Sequence, residues 1–204
     1  MRNEGKASKF IFVGNHICLD FINTQIIHKG RIVDLLRDFS HLVEWLAETE
    51  VLDFEKAKET LRKWSGNPES ERVLEQAREL RAVLRVVIER IIEGKPIQKS
   101  AINEINKLLS NRIGYPQLIQ ARDGFKTKFY AESSQAIHLM VPIAEFASDL
   151  LCHGDFSLIK KCDNPDCILY FYDISKNHAR RWCSMNICGN RMKVAAHYRR
   201  HRDT

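Results

Sequence analysis

The sequence predicts an α+β chain, mainly α. A helical amino-terminal domain with one small β-hairpin precedes a four-cysteine module of treble-clef or ribbon type that ends in a helix. Three observations carry this. Apolar residues recur at helical spacing from about residue 33 to 94, and again from 137 to 151. The turn Arg122-Asp123-Gly124 separates two short segments with strand patterning. Beyond them, Cys162-x4-Cys167 and Cys183-x4-Cys188 form two matched pairs fifteen residues apart.

Taken in order, Leu35, Leu36, Phe39, Leu42, Val43 and Leu46 mark a first helix, with Asp34 as its expected N-cap. Ala57, Leu61 and Trp64 mark a second, stopped at Gly66-Asn67-Pro68. Residues 69–93 give a long third helix with Val73, Leu74, Ala77, Leu80, Leu84, Val87 and Ile88 on its stripe. Glu75, Arg78, Glu79 and Arg81 read as charges on its solvated face. Ile102, Ile105, Leu108 and Leu109 mark a shorter helix. After the hairpin comes an apolar helix in which Pro142 is expected to introduce a kink, closed by Gly154. Short strands are expected at 158–160 and 169–173, and a final helix from Gly189 onward. With no flexible linker before the cysteines, the module is expected to pack directly on the body.

The cysteine spacing fits a tetrahedral metal site. Each pair sits on a tight turn that aims two sulfurs at one point, and soft thiolates suit Zn2+. With all four positions supplied by protein, the expected cofactor is one structural zinc. His178, His197 and His201 lie near enough in sequence for a three-sulfur, one-imidazole site to stand as an alternative. Cys18 and Cys152, in apolar surroundings, read as small buried hydrophobes.

Charge distribution adds a partner. The chain carries 32 Lys/Arg against 26 Asp/Glu, a net charge of +6. Residues 160–204 hold ten of the bases and four of the acids, so the whole excess lies there. Such concentration points to a polyanion, most directly double-stranded DNA. Arg180, Arg181, Arg199 and Arg200 are expected at phosphates, with His197 on an adjoining polar stripe. Arg191 or Lys193 can reach base edges, and Asn190 either a base edge or its own helix terminus. A zinc-stapled module that mediates protein contacts, with no nucleic acid, is the competing reading.

The run Trp182-Cys183-Ser184-Met185-x-x-Cys188-Gly189-Asn190-Arg191-x-Lys193, followed by Tyr198-Arg199-Arg200, resembles the CGNR zinc finger. The upstream Cys162-Asp-Asn-Pro-Asp-Cys167 and the aromatic strand Tyr170-Phe171-Tyr172-Asp173 match as well. Residues 12–24, FVGNHICLDFINT, resemble the opening motif of the ABATE domain. They depart from it at Asn15, where that family often has a second glycine. The resemblance implies a bacterial, stress-induced transcription regulator. Residues 1–155 would form the helical domain that senses a small molecule or mediates dimerisation, and 156–204 the DNA-binding finger. By the same resemblance Cys162, Cys167, Cys183 and Cys188 correspond to the zinc ligands, and Asn190, Arg191 and Lys193 to the DNA-contacting positions.

Asp20, Asn23 and Thr24 carry two readings: buried capping and turn chemistry, or the polar floor of a ligand pocket among the helices. No glycine-rich phosphate loop, nucleophile elbow or HExxH helix occurs, so no enzyme activity is expected. The amino terminus lacks a signal-peptide pattern and no apolar run spans a bilayer, so a cytoplasmic location without membrane contact is expected. Besides DNA, the expected partners are a small-molecule effector and a second copy of the chain.

Overall fold

A computed structural model describes residues 8–202 apart from 122 and 132–134; the side chains of 128, 131 and 199–202 are not among those described. The chain order is α1 (Ile17–Ile22), β1 (Gln25–His28), β2 (Arg31–Asp34), α2 (Phe39–Glu48), α3 (Phe54–Trp64), α4 (Pro68–Ile92) and α5 (Lys99–Leu109). Then come β3 (Gly114–Ala121), β4 (Gly124–Ala131), a 3-10 turn (Ala136–Met140), α6 (Val141–His153), β5 (Ile159–Lys161) and β6 (Tyr170–Tyr172). A π-helical turn (Met185–Gly189) leads into α7 (Asn190–Arg202). The strands form three separate antiparallel pairs: β1 with β2, β3 with β4, and β5 with β6. The mainly helical α+β class and the final helix are as the sequence predicts.

Local chemistry explains most boundaries. Asn67 accepts from the Glu69 N–H at 2.9 Å and Pro68 occupies the first turn, so α4 begins there. At 25 residues it runs roughly 37 Å and forms the spine of the body. The first expected helix starts later than its pattern implied. Asp38, not Asp34, caps α2 through the His41 N–H. Residues 31–34 instead pair with 25–28, because Lys29 and Gly30 both take positive φ (49° and 75°) and close a two-residue hairpin. Pro142 lies in the first turn of α6, where no N–H is needed, so it starts a helix rather than kinking one.

The core of the body gathers Leu19, Phe21, Ile22, Trp45, Leu84, Ile88 and Met140, all fully buried, with the Phe21 and Trp45 rings 5.3 Å apart. The expectation that Arg78 and Arg81 are solvated does not hold. Arg81 is 3% exposed and donates to Thr24 Oγ1 at 2.9 Å and to both carboxylate oxygens of Asp34. Arg78 donates to the Leu36 and Arg37 carbonyls, and Arg85 to those of Ile22 and Ile168. Their spacing of three and four residues puts all three guanidiniums on one face of α4. Cys18 is buried as expected, whereas Cys152 is exposed.

The cysteine module sits directly on this body, and β6 is shared between two cores. Period-2 alternation sends Leu169 and Phe171 into the sulfur cluster, while Tyr170 packs with the body core and Tyr172 lies against it. Asn23, fully buried at the end of α1, completes the junction. Its Nδ2 donates to the Tyr170 carbonyl at 2.8 Å and its Oδ1 accepts from the Tyr170 N–H at 2.9 Å. The side chain thus acts as a short extra strand segment. Asn23→Ala leaves both backbone groups buried and unpaired, and is expected to lower stability by about 2–4 kcal/mol in urea unfolding of the zinc-loaded chain.

Candidate metal centre and nucleic-acid interface

The first cysteine turn is built by Asn164. Its Oδ1 accepts from the Asp166 N–H at 3.1 Å, and its carbonyl accepts from the Cys167 N–H at 2.9 Å. Its Nδ2 reaches across to Cys188 Sγ at 3.2 Å, so one buried amide shapes one turn and bonds a sulfur of the other. The second turn is organised by Ser184, whose Oγ accepts from the Asn186 N–H and whose carbonyl takes both the Cys188 and Gly189 N–H groups. The absence of a Cβ at Gly189 admits the Met185 thioether, whose sulfur would lie 2.6 Å from one. The Cys183 N–H donates to Cys162 Sγ at 3.3 Å.

These turns bring the sulfurs of Cys162, Cys167, Cys183 and Cys188 within 4.8 Å of one another, all four residues buried. Cys167 and Cys183 are 3.9 Å apart. A regular tetrahedron with Zn–S bonds of about 2.3 Å has edges of about 3.8 Å, so the donor set fits Zn2+ in both chemistry and size. Proton energetics agree. Hydrogen bonds from Cys167 and Cys183 hold the Cys162 thiol far below its usual range. The same contacts push Cys183 and Cys167 up. Four sulfurs this close cannot all be thiolates without a cation among them. With no coordination position left for water or substrate, one zinc here is structural. His178 and His197 are not in the cluster, and the His201 side chain lies outside the described residues.

The cationic residues separate into groups. Arg180, expected at a phosphate, turns inward instead. It donates to the carbonyls of Val13 (2.9 Å), Trp182 (3.0 Å) and Cys183, and its guanidinium lies 4.1 Å from the Phe171 ring centroid. Arg181 is exposed, beside Trp182, and bonds Asp163 at 2.7 Å. Lys160 is held by the buried Asp173 and the His178 carbonyl. Burial alone would raise Asp173, but bonds from Lys160, Ser175 and the Arg180 N–H outweigh it and hold the carboxyl well below its usual range. Asn190, Arg191, Lys193 and His197 are exposed on α7. Tyr198 on the same helix is 71% exposed. Arg199 and Arg200 continue α7, and their side chains lie outside the described residues.

Asp20, Asn23 and Thr24 spend their polar atoms inside the fold. Asp20 accepts from the Gly14 N–H at 2.7 Å, and a Cβ on Gly14 would meet the Asp20 backbone and carboxylate at 2.8 Å, so this position needs glycine. Thr24 Oγ1 donates to the Phe21 carbonyl at 2.7 Å while accepting from Arg81. Asn15, the departure noted above, has φ +56° and its Nδ2 donates to the Tyr172 carbonyl at 2.9 Å. Asparagine tolerates that backbone region and supplies a tether glycine would lack.

The arrangement defines a helical body closed by a four-sulfur zinc finger. The family model ABATE, described as "Putative stress-induced transcription regulator", matches residues 15–154, and the CGNR zinc finger model matches 159–201. The chain belongs to the ABATE family and carries a CGNR zinc finger. Among curated proteins none matches it significantly.

Two outcomes test the site. Cys183→Ser leaves three sulfurs, and is expected to drop zinc content from one per chain to well below one by elemental analysis, with loss of the finger's protection from proteolysis. Burial pushes Asp20 up to about 6 from an ordinary 3.8. A raised carboxyl favours the folded state at low pH, and that contribution is lost as pH rises through about 6. Asp20→Asn stays neutral, so its stability relative to the parent chain should improve between pH 5 and 7 in parallel urea titrations.

Proposed function

We propose that the chain is a cytoplasmic transcription regulator that binds double-stranded DNA through α7 and is controlled through its helical body. The observation that carries this is the placement of α7. The helix leaves the second cysteine turn directly, packs chiefly onto that turn, and shows Asn190, Arg191 and Lys193 to solvent. From residue 190 to 202 it has five Lys/Arg and no acid. Zinc would fix the first turn of this helix, so the cations near Cys188 would meet a duplex as one preset surface. Arg191 and Lys193, nearest the metal, are assigned to base edges or adjacent phosphates, and Arg199 and Arg200 to phosphates further along. Arg181, exposed beside Trp182, is assigned to a further phosphate. Arg180 is excluded from it by its internal bonds and serves instead to hold the finger to Val13.

The functional division falls near residue 155, with residues 1–155 receiving the signal and 156–204 reading DNA. A single module of this size holds DNA weakly, so two copies acting together on one operator complete the reading. Structural zinc and the absence of a catalytic motif support a non-enzymatic role. Val194 and Tyr198, 54% and 71% exposed on the same helix, favour a second reading in which α7 docks on a protein.

Fluorescence anisotropy with labelled duplex separates the two. Arg191→Ala and Lys193→Ala are each expected to weaken binding roughly tenfold, and each lost phosphate contact should reduce the log–log salt slope by about 0.9, with zinc content unchanged. Unaltered duplex affinity in both variants, or none in the parent at low salt, would remove α7 from a DNA interface.

A further inference from the structure

We propose that a recess between β1 and the cysteine turns binds a small apolar zwitterion, an α-amino acid with a branched aliphatic or aromatic side chain. This goes beyond the function proposed above while resting on it, by placing the signal where the body meets the finger instead of within residues 1–155 alone.

The recess measures about 180 Å3 and is lined in part by Ile26, Leu169, Ile187 and Cys188. Its apolar character is built in: Leu169 is 3% exposed, and Ile26 packs against the sulfur cluster. A cavity of about 150 Å3 accommodates a benzene-sized body, so this recess has room for a leucine- or phenylalanine-sized side chain. Two opposite charges line the same recess, Arg191 and Asp166. Among the described residues neither side chain has an ion-pair or hydrogen-bond partner, and the two do not bridge each other. The guanidinium fork suits a carboxylate, and the Asp166 carboxylate suits an ammonium. A ligand bearing one of each cancels both, whereas a simple acid or amine would leave one of the two charges opposed to nothing. Asn164, also at the recess, is already committed to Cys188 and to its own turn.

The position of Arg191 gives the site a consequence. The same guanidinium stands at the start of α7, so a carboxylate that holds it over the recess withdraws it from a duplex. Occupancy and DNA binding then compete through one side chain, with no movement of the fold.

Titration calorimetry on the zinc-loaded full chain, without DNA, tests the site. L-Leucine and L-phenylalanine serve as probes, beside 4-methylpentanoate, which lacks the ammonium, and 3-methylbutylamine, which lacks the carboxylate. Saturable one-site binding of at least one amino acid at millimolar concentration or below is expected. Each truncated probe should bind roughly tenfold more weakly or worse, and Arg191→Ala should lose binding at unchanged zinc content. No saturable heat from either amino acid, equal binding of a truncated probe, or full binding by Arg191→Ala would overturn the proposal. Duplex affinity measured in the absence of amino acid reports the DNA reading separately. In a chain that binds duplex, added leucine should raise the duplex Kd, and an unchanged Kd at saturating leucine would overturn the shared role of Arg191.

Discussion

Four sulfurs within 4.8 Å of one another are the constraint on which the rest of this structure depends. Like-charged thiolates repel at that range, and protonated thiols make poor company for buried backbone. A divalent soft cation turns the same atoms into the strongest local cross-link in the chain. The surrounding residues are arranged for that outcome. Asn164 shapes one turn and bonds a sulfur of the other, Ser184 gathers the N–H groups of the second turn, and the Cys183 N–H points at Cys162. The short apolar set of Leu169, Phe171 and Trp182 would be a thin core by itself.

The metal centre and the helical body are also joined more closely than two modules in tandem. One three-residue strand, β6, is divided by its own pleat, Phe171 toward the sulfurs and Tyr170 toward the core of α1, α4 and α6. Asn23 pairs with Tyr170 like a further strand, Tyr172 N–H donates to the Gly14 carbonyl at 2.8 Å, and Arg180 crosses to Val13. Tyr170 Oη donates to Glu89 on α4 at 2.7 Å. Any event that displaces α1 or α4 therefore acts on the strand leading to the zinc ligands. The coupling needs no linker and no large motion.

How much of this could be read from the chain follows from the range of the physics involved. The cysteine pairs were legible because a tetrahedral site imposes its own local spacing, and the long helices because an apolar stripe declares its period. Lys29-Gly30 was missed as a turn because lysine rarely takes positive φ and gives no Asn-Gly or Asp-Gly signal. Arg81 looked solvated because its reason for burial, Asp34, lies 47 residues upstream. Arg180 looked like a phosphate ligand for the same kind of reason, since the carbonyl that turns it inward belongs to Val13, 167 residues away. Asp20, Asn23 and Thr24 read first as capping and turn chemistry and second as a pocket floor, and the partners that occupy them in the fold include Tyr170 and Arg81, both remote in sequence. Charge counting identified the basic end correctly but could not say which cations are spent within the protein.

In this structure zinc would hold the finger and, through β6 and Asn23, part of the body. Hydrogen exchange before and after stripping the metal with a chelator tests it most directly. The account predicts that amides of residues 162–189 lose protection together, and that the loss extends to the end of α1 around Asn23. Protection there and at Tyr170 that survives complete metal removal would contradict it.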